Sequence, residues 1–491
     1  MRERNDAPLT IPPDEFRTLG HQLVDRIADL MSTLRGRRVT PPDGPDELRA
    51  LLGAGAALPA RGSDPDALLE EAARLLFDGS TFNAHPRFFG YITAPPSPIG
   101  VLGDLLASAV NANCGGWTLS PMASEIEVQT VRWIAELIGF PTTGSGLLVS
   151  GGNVANFTGV LAARAALLRD VRARGLADQR LRLYASGETH TWIHKAADIF
   201  GIGTDAIHWI PVDRDLRMEA DALRAALAED RRAGFTPLAV VGTAGSVSTG
   251  AIDPLDDIAD ICAEHRVWFH IDGAYGGFAA CVPELAPGLG AIGRGDSIAI
   301  DPHKWLYAPL EAGCTLVRDP DALRSAFSYH PPYYHFGVEA TNFVDLGMQN
   351  SRGFRALKVW LALRHAGREG YRRMIADDIE LARYLHVVVD EHPELEAVTQ
   401  SLSITTFRYV PPQLRDSVGR PDTEEQLNKL NENLLDTLQK EGEAFVSNAV
   451  IDGRYLLRAC VVNFNTTRAD IDAVPEIVVR TARRLLVEVA T

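Results

Sequence analysis

Between about residues 100 and 370 the chain alternates helical segments with short apolar runs, and this alternation constrains the fold more than any other feature. The runs are GLLVSGG (146–152), LRLYAS (181–186), LAVVGT (238–243), VWFHIDG (267–273), SIAIDP (297–302) and GCTLVR (313–318). Short strands without polar alternation, separated by helices, form a mostly parallel sheet covered on both faces. Open sheets of this kind place their ligands at the carboxyl ends of the strands. The expected fold class is therefore α/β, with a large, mostly parallel sheet domain.

Beyond Tyr371 the alternation continues on a smaller scale. Strand-like LSITTFRYV (402–410) precedes a helix bearing Leu427, Leu430, Leu434 and Leu438, and strand-like LLRACVVNFN (456–465) follows. At the other end, Leu19, Leu23, Ile27, Leu30 and Leu34 mark one face of an amphipathic helix, with a second helical stretch near residues 67–77. These patterns divide the chain into an N-terminal helical arm (1–95), a large α/β domain (96–372) and a small C-terminal α/β domain (373–491). Something outside the first helix must cover its apolar stripe, which is a physical reason to expect a partner chain.

Charge narrows the partners. Lys and Arg number 48 against 64 Asp and Glu, a net charge of −16, so the chain offers no basic footprint for nucleic acid or an anionic membrane. Small molecules are the expected ligands. Cys114, Cys262, Cys281, Cys314 and Cys460 are scattered and contain no CxxC pair, so they read as reduced core thiols. The opening MRERNDAPLTIPPDEF lacks the apolar core of a signal peptide, and no apolar run approaches the roughly 20 residues of a membrane helix. The expected location is cytoplasmic.

Four polar features sit where the predicted strands end. SGGN (Ser150–Asn153) opens a helical pattern, and its glycines let backbone amides face an anion; a tight strand-to-helix turn would use the same glycines. Asp272, in HIDGAYGG, follows an apolar strand beside small residues that admit a flat ligand, although an Asp here is commonly a helix cap. Lys304, in DPHKW, would alone read as a solvated loop charge. His190 and His194, in THTWIHK, have the His-x-x-x-His spacing of a zinc pair but lack the accompanying Glu and a third ligand, so no metal is expected. Together an amine, an acid, a phosphate cup and an aromatic ring partner match the needs of pyridoxal 5'-phosphate.

HIDGAYGG and DPHKW, 32 residues apart from Asp272 to Lys304, with SGGN and THTW, make the chain resemble the group II pyridoxal-phosphate decarboxylases of aromatic L-amino acids, glutamate and diaminobutyrate. The resemblance runs from HPRFFGY to LLRACVVN and implies a type I PLP-dependent transferase-like fold and a homodimer with its active site at the interface. It also implies that Lys304 attaches the cofactor, Asp272 pairs with the pyridine nitrogen, His190 stacks on the ring and Ala274 packs on the other face. Gly152, Asn153, Ser246 and His303 would complete the cofactor contacts. On a loop reading SAFSYHPPYYHFG (325–337), Tyr333, or its neighbour Tyr334, would return a proton to the substrate carbon. Tyr91 and Ile92 would line the substrate pocket, Arg458 would take the substrate carboxylate, and Arg352 would support the loop.

The expected reaction is decarboxylation of an L-amino acid, with an aromatic one favoured, to amine and carbon dioxide. The alternatives are an acidic or diamino acid as substrate, or oxidative conversion to an aldehyde. Asn111 and Asn113, in NANCGGW, resemble the glutamate and diaminobutyrate branches. The chain departs from the family pattern at Asn153, at Val154, and at Asp301, which stands where Asn is frequent before Pro-His-Lys.

Overall fold

The computed structural model describes residues 7–176, 179–329 and 340–490. Its larger sheet has seven strands: β1 (Ser145–Val149), β2 (Leu181–Ser186), β3 (Ile207–Ile210), β4 (Thr236–Thr243), β5 (Trp268–Asp272), β6 (Ser297–Ile300) and β7 (Gly313–Val317). They lie in the order β1-β7-β6-β5-β4-β2-β3. Every pair among β3, β2, β4, β5 and β6 is parallel, whereas β7 runs antiparallel to both β6 and β1. β1 therefore points the same way as β6, and β1, β2, β4, β5 and β6 all end on one edge of the sheet. The strands are buried almost throughout, as their unalternated apolar sequences require. β3, reading IHWI, was not visible as an apolar run because His208 and Trp209 interrupt it and its middle is partly exposed.

The second sheet is antiparallel, in the order β10-β11-β9-β8, from β8 (Leu395–Ser401), β9 (Ile404–Tyr409), β10 (Ser447–Ile451) and β11 (Arg454–Cys460). Leu434, Leu438, Ile471, Val474 and Val478, on the helices Pro421–Glu441 and Arg468–Ala490, pack with Phe407 and Leu457 into its core. The two sheets are joined by the helical run Ala356–Asp390, broken at Gly367, whose φ of +65° suits only a residue without a side chain. Both folding units match the α/β expectation for the chain.

The N-terminal helices, Pro13–Thr33 and Pro65–Gly79, are each followed by a segment tied to the C-terminal unit. Val39 N–H donates to the Gly442 carbonyl at 2.7 Å, Phe89 N–H donates to the Phe445 carbonyl at 2.7 Å, and Phe88 stacks on Phe445. The first helix differs from expectation. Leu19 and Leu34 are buried, and Leu23, Ile27 and Leu30 are partly covered within the chain itself. The uncovered apolar surface lies on other faces: Phe16, Val24 and Met31 here, and Leu102, Leu105, Leu106 and Val110 on the helix Pro98–Val110. Among the described residues no helix is long and apolar enough to cross a membrane.

Candidate active site

The sheet edge gathers the predicted residues. β1 ends at Val149, Gly151 adopts φ +107°, and a 16-residue helix starts at Gly152. The backbone here is crowded: a Cβ on Gly313 of β7 would lie 2.5 Å from the Gly151 backbone, and one on Gly152 would lie 2.6 Å from Asp301 Oδ2 and 3.3 Å from Ala274 Cβ. The glycines therefore let a helix N-terminus, Asp301 and Ala274 converge around an open amide-lined turn.

At the end of β5, Asp272 is buried and accepts a hydrogen bond from Trp192 Nε1 at 2.7 Å and one from Ala274 N–H at 3.2 Å. The indole comes from the helix Trp192–Ile199, so the THTW segment holds the acid in place. His190 Nδ1 accepts from the Trp192 N–H at 3.2 Å, which fixes its ring. Burial lowers the His190 pKa, with Asp272 opposing and Lys304 assisting. His194 leans instead on Trp209, with ring centres 5.1 Å apart.

After β6, the short helix Pro302–Trp305 presents Lys304, whose Nζ lies 3.0 Å from Asp301 Oδ2. His303 Nδ1 is 2.7 Å from the Ala312 carbonyl, its Nε2 is 3.7 Å from Asp301, and burial lowers its pKa. Trp305 stacks on Tyr275 and donates its Nε1–H to buried Asp378 at 2.9 Å; Tyr307 donates to the same carboxylate at 2.7 Å.

Ser246 was expected among the cofactor contacts, but its hydroxyl is shared within its own turn, 3.1 Å from Thr249 Oγ1 and 3.4 Å from Ser248 Oγ. The hydroxyl left open on that strand is Thr243 Oγ1, in register with Asp272 across β4 and β5. Sequence reasoning missed Thr243 because nothing in a strand-end threonine says whether its hydroxyl finds a local partner. Ser186 Oγ, Thr189 Oγ1 and Asp301 Oδ1 are likewise buried and without a partner in the protein. Each such atom costs about 1–3 kcal/mol unless a ligand satisfies it. Their clustering at the ends of β2, β4 and β6 marks a site built for a polar group.

Arg458 is buried, donates Nη1–H to Ser447 Oγ at 2.8 Å and Nη2–H to the Tyr91 carbonyl at 3.3 Å, and leaves Nε without a partner. Neither of those partners is a carboxylate, and burial lowers its pKa, with Cys460 and Tyr275 opposing. Tyr91 is 61% exposed and tilts against Phe445, while Ile92 packs on the main core. Arg352 is a different kind of arginine: it pairs with buried Glu127 and donates to the Cys114 and Leu148 carbonyls, so it braces the 113–115 turn and β1. Tyr333 and Tyr334 lie outside the described residues.

The open amides, the unsatisfied atoms, the fixed acid and the lysine fit pyridoxal phosphate at its anionic end, its ring nitrogen and its aldehyde. Fold and site together define a pyridoxal-phosphate-dependent enzyme. The chain belongs to the pyridoxal-dependent decarboxylase family, whose conserved domain matches residues 45–410, and it is a carboxy-lyase acting on amino acids. It is 35% identical over 464 residues to an aromatic-L-amino-acid decarboxylase of Bacillus atrophaeus, covering 94% of each chain. It is 31% identical to a phenylacetaldehyde synthase of Petunia hybrida over 92% of this chain and 91% of that one. Among solved structures, Oryza sativa TDC with PLP and tryptamine superposes with a TM-score of 0.89 at 30% identity, covering 98% of this chain and 99% of that one.

Proposed function

We propose that this decarboxylase converts an aromatic L-amino acid to its amine and carbon dioxide, with Lys304 as the point of cofactor attachment. The observation that carries the reading is Arg458, a buried guanidinium without a counter-ion among the described residues, which suits the carboxylate of a substrate. Bound pyridoxal phosphate supplies the electron sink for the bond that breaks. Asp272, held by Trp192, would keep the pyridine nitrogen protonated, His190 and Ala274 would hold the two ring faces, and Gly152, Asn153 and His303 would hold the phosphate, with Ser246 and the open hydroxyl of Thr243 as further polar contacts. Tyr333 delivers the proton that ends the reaction.

Two features support an aromatic substrate. Tyr91 offers an exposed ring next to Phe445, and the relatives include aromatic, tryptophan and tyrosine decarboxylases. The asparagines that resemble the acidic-substrate branches have structural duties here. Asn111 ends the helix Pro98–Val110 with φ +51°, and Asn113 Oδ1 accepts from the Gly115 and Arg352 amides. The active form is a homodimer closed by the exposed face of Leu102, Leu105, Leu106 and Val110. Lys304→Ala tests the attachment: the purified variant should lose the visible absorbance of the bound cofactor, and an unchanged band would place the linkage elsewhere. Tyr333→Phe should bind cofactor normally yet form amine slowly; full amine production would move the proton delivery to another group.

A further inference from the structure

Asp301 has no duty in the account so far, although it is 1% exposed and lies between the lysine and the glycine turn. Its Oδ2 is 3.0 Å from Lys304 Nζ, and its Oδ1 has no partner in the protein. Among the described residues no arginine neutralises it, and the neighbouring His303, 3.7 Å away, is held towards its neutral form by burial.

The other charged groups facing this pair are already engaged. Asp272, from β5, is taken by Trp192 and the Ala274 amide. Glu127, from the helix Pro121–Ile138, is taken by Arg352, and Lys358, from the run Ala356–Asp390, by Asp104 at 3.1 Å. His190 and Lys195 act on the site from the turn and helix after β2. Among the described residues Asp301 is therefore the carboxylate in ion-pair contact with Lys304.

We propose that Asp301 is the counter-ion of Lys304 in the loaded enzyme, pairing with the positive charge of the linkage once that nitrogen is joined to the cofactor aldehyde by a C=N bond, with loss of water. An asparagine at this position, frequent in the family pattern, would keep the shape but supply no charge. The protonated linkage is the form that an incoming substrate amine attacks, so Asp301 extends the pH range over which the loaded enzyme is ready to react. An opposite charge at this distance shifts such a titration by about 1–3 pH units. The inference rests on the reading that Lys304 carries the cofactor.

The test is the visible spectrum of the loaded enzyme followed against pH, for the wild type and Asp301→Asn. The long-wavelength band of the protonated linkage should give way at a pH about 1–3 units lower in the variant. An unchanged or higher midpoint overturns the proposal. Should Asp301→Asn load poorly, the same titration of both proteins held in excess pyridoxal, with the adduct trapped by borohydride, gives the comparison: the midpoint should again be lower in the variant, and coincident curves overturn the proposal. Mass spectrometry of the trapped adduct separates the two readings. A label away from Lys304 defeats the attachment reading, whereas a label on Lys304 with coincident curves defeats only the role of Asp301.

Discussion

Two buried arginines, Arg352 and Arg458, should respond in opposite ways to replacement by methionine. Arg352 is in contact with Glu127, its Nη1 lying 3.0 Å from Oε2, and both side chains are at most 1% exposed. Removing it strands a buried carboxylate, which costs about 3–5 kcal/mol. Arg458 has no such partner among the described residues. Its burial costs several kcal/mol of lost solvation, offset by two hydrogen bonds, at 2.8 and 3.3 Å, of about 1.5–3 kcal/mol each. Methionine fills similar volume without the charge, so Arg458→Met should change stability by only about 1 kcal/mol, in either direction. Its price falls on function: losing a charge-assisted contact of about 3 kcal/mol with the substrate carboxylate lowers kcat/KM roughly 150-fold. Urea unfolding of the loaded enzymes and steady-state kinetics measure the two effects. If Arg458→Met unfolds as readily as Arg352→Met, or keeps full kcat/KM, then the unpaired guanidinium is not a carboxylate anchor.

Burial pushes the Asp378 carboxyl up to about 7, although three donors from Trp305, Tyr307 and Asn463 oppose the rise. That value lies above the roughly 3.9 of an unfolded chain, so the folded protein binds this proton more tightly and stability falls as pH rises from about 4 to about 7. The whole loss is on the order of 4 kcal/mol, of which about 2.7 kcal/mol falls between pH 5 and pH 8; urea unfolding at those two pH values should show it in the wild type and not in Asp378→Asn, and equal pH dependence in the two proteins would refute it. Gly152→Ala places a Cβ 2.6 Å from Asp301 Oδ2, so it should weaken cofactor affinity at least about tenfold while the fold survives, as fluorescence titration would report. Leu105→Glu puts a charge on the exposed face of the helix Pro98–Val110 and should convert a dimer to monomers in sedimentation; an unaltered assembly would place the interface elsewhere.

The large sheet was legible because a buried parallel strand announces itself as an uninterrupted apolar run, and the six runs coincide with β1, β2, β4, β5, β6 and β7. β3, β8 and β10 escaped: β3 is four residues long and broken by His208 and Trp209, β8 (LEAVTQS) is only partly buried after its first residue, and β10 buries only alternate residues over a five-residue stretch. The Leu19–Leu34 stripe was a sound reading of helical period, but period does not say which neighbour covers a face, and here the chain partly covers its own. At the site, Lys304, Asp272 and the SGGN turn could be placed because strand ends are readable. Hydrogen-bond satisfaction is not, and for that reason the open hydroxyl of Thr243 and the Glu127 partner of Arg352 could not be read from the sequence.

The central claim is that this family member removes carbon dioxide from an aromatic L-amino acid and returns the amine. Loaded enzyme supplied in turn with aromatic, acidic and diamino L-amino acids, with carbon dioxide, amine, aldehyde and peroxide all quantified, tests it most directly. An aromatic substrate should yield amine and carbon dioxide in equal amounts, with neither aldehyde nor peroxide. Aldehyde accompanied by peroxide, or turnover confined to glutamate or diaminobutyrate, would contradict it.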